Sequence, residues 1–186
     1  MKPVVLTTAR LVLNQPGLDQ PGDGDRELIT EYCRDPIFER FLTTPWPYEP
    51  RHADYFVDEH VPRGWASDTE YTWAIRRDGE FLGVIGYRAA TSDLGCWLGA
   101  PHRGQGVMPE SATAVIDWLF GEGVPRLGWE CIVGNAASAT VARKLGFSYT
   151  GEAPSALGSR DGSSPRLWHG TLAANDDRSV KEGWPL

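Results

Sequence analysis

The stretch His102-Arg103-Gly104-Gln105-Gly106-Val107-Met108-Pro109-Glu110 decides how the rest of the chain is read. Before it lies the apolar run Leu94 to Leu98, which reads as a strand. After it, Ala112, Val115, Ile116, Leu119 and Phe120 recur at the spacing of one buried helix face. The glycines therefore stand at a strand-to-helix junction. There the first N–H groups of a helix lack intrahelical partners and the dipole is positive. Two glycines let backbone approach a ligand closely, and Arg103 adds charge, which is the chemistry that holds a phosphate or pyrophosphate. The plainer reading is a glycine turn between strand and helix. A P-loop would close on Gly-Lys-Ser/Thr, but Val107 and Met108 follow Gly106. A dinucleotide fingerprint would need a third glycine where Pro109 stands.

A second stretch lies downstream, Asn135-Ala136-Ala137-Ser138 through Arg143-Lys144-Leu145-Gly146-Phe147. Asn135 suits a helix N-cap, Gly146 suits the residue just past the helix end, and Phe147 restarts an apolar strand. The interval between the two stretches has room for one helix and one strand. Together they resemble the GNAT superfamily of N-acyltransferases, nearest its RimJ/RimL-like branch. Arg103 and Gly106 match that family's Arg/Gln-x-x-Gly-x-Gly/Ala pyrophosphate motif, with Met108 where Gly or Ala is usual. The Asn-led helix ending in Lys-Leu-Gly-Phe matches its later segment. The resemblance runs from Thr7 to Leu172.

Composition sets outer bounds. A chain of 186 residues reads as one domain, residues 1–186, able to bury about 70% of its unfolded surface. Its 41% hydrophobic content and eight Trp argue for a folded core. A net charge of −7 disfavours nucleic acid or an anionic membrane as partner and favours a cationic substrate. Locally the sign reverses, with His102, Arg103, Arg143 and Lys144 in the two motifs. Three cysteines without zinc-type spacing suggest reduced thiols and a cytoplasmic location. No secretory segment and no apolar run of about 18 residues is seen.

Arg10 to Leu13 reads as a short strand and Asn14 to Gly24 as a Gly/Pro/Asp-rich loop. Asp25 to Arg34 and Ile37 to Leu42 read as helices on either side of Asp35-Pro36. Two prolines keep Thr43 to Tyr48 irregular. A third helix is expected over Arg51 to Val61. From Glu70 the period becomes that of strands. Tyr71 to Arg76 and Glu80 to Ala89 are joined by Asp78-Gly79, a strong hairpin signal. Further strands are expected over Ser92 to Leu98, Arg126 to Val133, Phe147 to Gly151 and Arg166 to Leu172, with a loop from Ala153 to Ser164. This order predicts an α/β (α+β) fold, a mixed, mostly antiparallel central sheet of about seven strands flanked by helices. The resemblance adds that the Leu94–Leu98 and Arg126–Val133 strands are parallel neighbours that splay. Residues 174–186 form a polar tail carrying Trp184.

The resemblance implies acetyl-CoA, or another acyl-CoA, as co-substrate, with no metal. Pantetheine would lie in the splayed gap, bonded by backbone near Trp97, Leu98 and Gly99 like one more strand. The amides of Arg103, Gly104, Gln105, Gly106, Val107 and Met108 would take the pyrophosphate. Asn135 would reach the pantetheine arm. Lys144 would reach the 3′-phosphate, unless it serves only the helix C-terminal dipole. The implied reaction is direct transfer from the thioester to a primary amine in a ternary complex. An ammonium of pKa about 10 must first lose a proton. The oxyanion needs a donor, which backbone around Leu98 offers, and the thiolate needs a proton or hydrogen bond. Many family members use a Tyr for that last task, and Ala142 occupies its position here. Ser138 is the substitute, the alternative being a serine that only satisfies backbone in the first helical turn. For the base, Asp93 stands where the branch often carries Glu and shares a face with Gly95 and Trp97. An Asp beginning a strand at a turn is the alternative. Glu130 and Glu152 are further candidates. His102 would sit beside the pyrophosphate, far from the thioester.

Trp46, Tyr48, Trp73 and Tyr87 would line an acceptor cleft beneath the helical N-terminal region, unless they are core aromatics. The acceptor is expected to be a small-molecule amine or a protein N-terminus, with no nucleic acid and no membrane partner. A homodimer is compatible with the family. Acetyl is the expected acyl group, and a larger one, as in succinyl-CoA, is the alternative. Two other readings remain: a catalytically silent acyl-CoA-binding module, and a non-enzymatic interaction domain whose glycine turn is structural.

Overall fold

The computed structural model describes residues 1–17, 24–155 and 162–186. The hairpin expected at Asp78-Gly79 forms: both residues take positive φ, 53° and 85°, and Arg77 pairs with Glu80 across them. Its arms are β3 (Glu70–Arg77) and β4 (Glu80–Arg88) in a sheet with β1 (Leu6–Thr7), β2 (Val12–Asn14), β5 (Asp93–Leu98), β6 (Arg126–Ile132), β7 (Ser148–Pro154) and β8 (Arg166–Ala173). The spatial order is β1-β2-β3-β4-β5-β6-β8-β7. Every neighbouring pair is antiparallel except β5 and β6, which are parallel. The mixed sheet is thus as expected, with eight strands among the described residues instead of about seven. The added one, Leu6–Thr7, is too short to leave a periodic signal.

The helices are α1 (Asp25–Tyr32), α2 (Pro36–Phe41), α3 (Pro50–Tyr55), α4 (Val61–Ser67), α5 (Val107–Gly121) and α6 (Ala136–Lys144). α2 begins where its residues dictate, with Asp35 accepting from Ile37 N–H and Pro36 in the first turn. The expected third helix runs past Val61 to Ser67, because α3 and α4 join through a widened turn, Phe56–His60. Pro62 has no N–H and its ring crowds the carbonyl one turn back, and the widened turn absorbs that conflict.

Each face of the sheet has its own core. α5 and α6 cover one face, where Ile85, Leu94, Ala112, Val115, Ile116, Trp129, Ala139 and Phe147 pack together. α1, α2 and α3 cover part of the other, with Ile29, Phe38, Ala53, Ala74, Phe81 and Val84. That second core reaches Trp97 and stops there. Beyond it Glu130 and His169 keep side-chain exposures of 39% and 28%. The tail is anchored by Trp184, only 7% exposed. Its indole N–H donates to Phe147 O at 2.8 Å and its ring lies over Gly170, where a Cβ would approach within 2.5 Å. The loops expected over Asn14 to Gly24 and Ala153 to Ser164 fall partly on residues 18–23 and 156–161, outside the described residues. Among the described residues no helix is long and apolar enough to cross a membrane.

Candidate active site

β5 and β6 meet only at Asp93–Gly128 and Leu94–Trp129, where Gly128 N–H donates to Ser92 O at 2.8 Å. Beyond Leu94 they part. The other edge of β5 stays in register with β4 as far as Leu98, and Gly99 N–H donates to Leu82 O at 2.9 Å. In an antiparallel ladder alternate residues turn their backbone groups to the same neighbour. Gly95, Trp97 and Gly99 are therefore bonded toward β4, whereas Cys96 and Leu98 turn theirs into the gap. This corrects the expectation that Trp97, Leu98 and Gly99 all offer backbone to a ligand. Leu98 faces the gap, with Cys96 beside it in place of Trp97 and Gly99. The Leu98 carbonyl already accepts from Arg103 Nε at 3.0 Å, which leaves its N–H.

The glycine motif follows directly. Gly104 and Gly106 take left-handed φ values of 74° and 76°, which glycine adopts without strain, and Gly106 caps α5. A Cβ at Gly104 would meet nothing within 4 Å, so the loop is open on that side. Among the described residues, the amides of Gly104, Gln105, Gly106, Val107 and Met108 have no protein partner. They cluster at the positive end of a 15-residue helix. The Val107 and Met108 side chains are buried, so only their backbone is on offer. Gln105 braces the loop, donating to Pro101 O at 2.7 Å and accepting from Arg77 at 3.0 Å.

Two motif side chains point elsewhere. Arg103 Nη1 pairs with Asp35 Oδ2 at 2.8 Å and its guanidinium stacks on Phe38, 5.5 Å from the ring centre. Its charge therefore joins the loop to α2 through Nη1 and to Leu98 O through Nε, while its buried Nη2 has no partner among the described residues. The Ile37 amide and then Arg103 hold the Asp35 carboxyl below its ordinary range. His102 is buried and shares a hydrogen bond with the Tyr32 hydroxyl at 2.9 Å, facing α1.

At the start of α6, Asn135 accepts from Ser138 N–H at 3.1 Å, as an N-cap should. The Ser138 hydroxyl oxygen in turn accepts from Trp129 Nε1 at 3.0 Å. Cys131 lies on the same face of β6 as Trp129. Burial pushes its thiol up to about 11, opposed by the Ser138 hydroxyl, and burial pushes Cys96 across the gap up to about 12. Ala142 is fully buried, and Lys144 is exposed.

The opposite face carries a separate set of charges. Asp93 is 2% exposed, and its carboxylate accepts from the Arg88 guanidinium and the Thr91 hydroxyl. Glu130 Oε1 lies 3.3 Å from His169 Nδ1, and His60 Nε2 lies 3.3 Å from Glu70 Oε2. Gly86 and Gly95 pair across β4 and β5, with Glu70 beside the first and the Arg88 guanidinium beside the second. Glu152, the weakest base candidate, is paired with Arg166.

The expected acceptor aromatics divide. Trp73 is fully buried beneath α5, donating to Val4 O at 2.8 Å, and Tyr87 is buried in the same cluster. Neither has surface for an acceptor, because strand alternation turns both away from the charged face. Tyr48 is buried against α3, and Trp46 is partly exposed. Residue reasoning missed Arg88, Glu70 and Trp129. Trp129 was legible, since Leu127, Trp129 and Cys131 alternate onto one face.

A family model described as acetyltransferase (GNAT) domain matches residues 11–148, well over half the chain. No curated protein matches by sequence. Among solved structures, apo RimL, a ribosomal-protein alpha-N-acetyltransferase, is 18% identical with a TM-score of 0.75, covering 92% of this chain and 94% of its own. An acetyltransferase from Salmonella typhimurium, described as modifying the N-terminal serine of a ribosomal protein, is 17% identical with a TM-score of 0.76, covering 91% and 99%. The microcin self-immunity acetyltransferase MccE, solved with acetyl-CoA and AMP, is 19% identical with a TM-score of 0.74, covering 89% and 93%. At these identities the likeness is one of fold.

Proposed function

The chain belongs to the GNAT acetyltransferase family, and from that premise we propose that it transfers an acetyl group from acetyl-CoA to a primary amine by direct attack in a ternary complex. The parted β5–β6 pair carries this reading. The gap-facing backbone of Cys96 and Leu98 leads, through the short turn Ala100–His102, to the free amides of Gly104 to Met108. An extended amide arm ending in a pyrophosphate satisfies both sets of groups. Asn135 is available to that arm through its amide N–H₂, and exposed Lys144 to the 3′-phosphate.

The protein groups divide the chemistry between the two faces of the sheet. The Leu98 N–H is the donor for the carbonyl oxygen as charge develops on it. Ser138, on the α6 face, donates to the departing thiolate. Glu130, on the other face and held by His169, takes the ammonium proton directly or through water. Glu130 is preferred to Asp93 because Asp93 is sealed beneath Arg88 and already accepts from a guanidinium and a hydroxyl. Glu70 and Glu130 on the partly uncovered face would draw a cationic acceptor, and the N-terminal serine described for the Salmonella protein is one model of it. Residues 1–186 are read as one catalytic domain, and three unpaired cysteines suit a reducing cytoplasm.

A second reading, a silent acyl-CoA-binding module, is favoured by one observation: Ala142 stands where a family tyrosine would act. Calorimetry with acetyl-CoA on wild type and Gly106→Glu tests the binding half. Micromolar affinity, about −8 kcal/mol, that collapses in the variant is expected. Free-thiol release across an amine panel then separates enzyme from silent binder. Folded wild type that binds neither acetyl-CoA nor succinyl-CoA overturns both.

A further inference from the structure

We propose that Trp129 is a positioning residue for Ser138, its indole N–H filling one acceptor site of the hydroxyl so that the hydroxyl proton is directed at sulphur. This rests on the reading of Ser138 as the group that assists thiolate departure. Trp129 is the last residue of β6 to pair with β5, so it stands at the apex of the gap. Its Nε1 donates to Ser138 Oγ at 3.0 Å. The ring is 1% exposed and packed edgewise on Phe147, with centroids 5.4 Å apart, so the N–H has a fixed aim. The Ser138 backbone is held independently by Asn135 at 3.1 Å. The oxygen is therefore fixed from two directions.

A serine hydroxyl has one proton and two acceptor sites, whereas an indole N–H can only donate. While Trp129 occupies one acceptor site, the Ser138 proton cannot point back at the ring. It is left for another partner. In the transfer step the neutral amine nitrogen forms a bond to the acyl carbon, the carbon–sulphur bond breaks, and the proton that nitrogen then sheds passes to solvent, from which the thiolate is later protonated. Sulphur leaves with the electron pair, and the Ser138 O–H stabilises that pair by hydrogen bonding. Trp129 makes and breaks no bond and acts only on the direction of that O–H.

The test uses CoA itself as probe. The thiol of CoA bound to the full-length protein is titrated by its thiolate ultraviolet absorbance in wild type, Trp129→Phe, Ser138→Ala and the double variant. Phe keeps most of the ring and removes the N–H. Trp129→Phe is expected to raise the bound thiol's pKa by up to about one unit, and the double variant to match Ser138→Ala alone. With any accepted amine, Trp129→Phe lowers kcat about 3- to 10-fold, the worth of one neutral hydrogen bond, and leaves KM for acetyl-CoA unchanged. A bound thiol unaffected by Trp129→Phe, or an effect that adds to that of Ser138→Ala, overturns the proposal. So does a Ser138→Ala variant with a wild-type thiol. Failure of CoA to bind wild type is a different result and sinks the acyltransferase reading itself. If Trp129→Phe unfolds, the Trp129 indole N–H resonance serves instead. It must move upfield in Ser138→Ala, and a resonance that stays put refutes the contact.

Discussion

The two edges of β6 differ sharply. Toward β8 all seven residues pair, from Arg126–Ala173 to Ile132–Leu167. Toward β5 only two do. Strand propensity cannot explain this, since both edges belong to the same residues. The difference lies in the partners. β8 returns antiparallel along the full length of β6. β5 is held on its far side by β4 to Leu98, and Arg103 then ties its end to α2 through Leu98 O and Asp35. The lesson is that an unfinished ladder inside a sheet leaves backbone groups that need partners, and an extended ligand can supply them.

Single backbone groups separate the two edges of β5 most decisively. Replacing the Leu98 amide by an ester removes a gap-facing N–H and should lower kcat about 100-fold or more, while the ester carbonyl left on Trp97 weakens one β4 ladder bond without removing it. The same replacement at Trp97 removes a β4 ladder bond and should cost about 1 kcal/mol of stability while kcat holds. Equal outcomes at the two positions would erase the distinction between the edges.

Gly83→Ala probes the β4 side. Its Cβ would come within 2.2 Å of Trp97 O and 2.8 Å of Leu98 Cα, so chemical denaturation should show a loss of about 3 kcal/mol. A neutral result would mean that β4 does not fix β5 in place. Glu130→Gln should lower kcat about 100-fold with stability held. Asp93→Asn should lower stability by about 2 kcal/mol through its bonds to Arg88 and Thr91, with kcat within a few-fold. The reverse pattern would restore Asp93 as the base.

The smallest expected effect is a pH dependence on the charged face. The hydrogen bond to Glu70 raises the pKa of His60 in the folded protein. That contribution is complete below the unfolded value of about 6.5 and is lost as pH rises through the raised folded value. Unfolding free energy should therefore fall slightly across that window, and Glu70→Gln should flatten the fall. Identical slopes in the two proteins would remove the pair from the account.

What was legible in the residues was local. Asp78-Gly79 specified its turn, Asn135 its cap, Gly104 and Gly106 their left-handed loop, and the apolar spacing the α5 face, because each depends on a few adjacent residues. The resemblance carried the parallel pair and the family. Contacts set by distant partners were not legible. Arg103 was expected at the pyrophosphate, and its partner Asp35 lies 68 residues away. Trp73 and Tyr87 were expected at a cleft, and only the register of β3 on β4 turns them under α5. So the amino-acid order by itself determined the glycine loop at the helix start and the strands around it. The tertiary structure alone decided which amides between Trp97 and Gly99 face the gap and which carboxylate is left uncovered. Those choices depend on hydrogen-bond register and on ion pairs that exist only once separate segments have packed together.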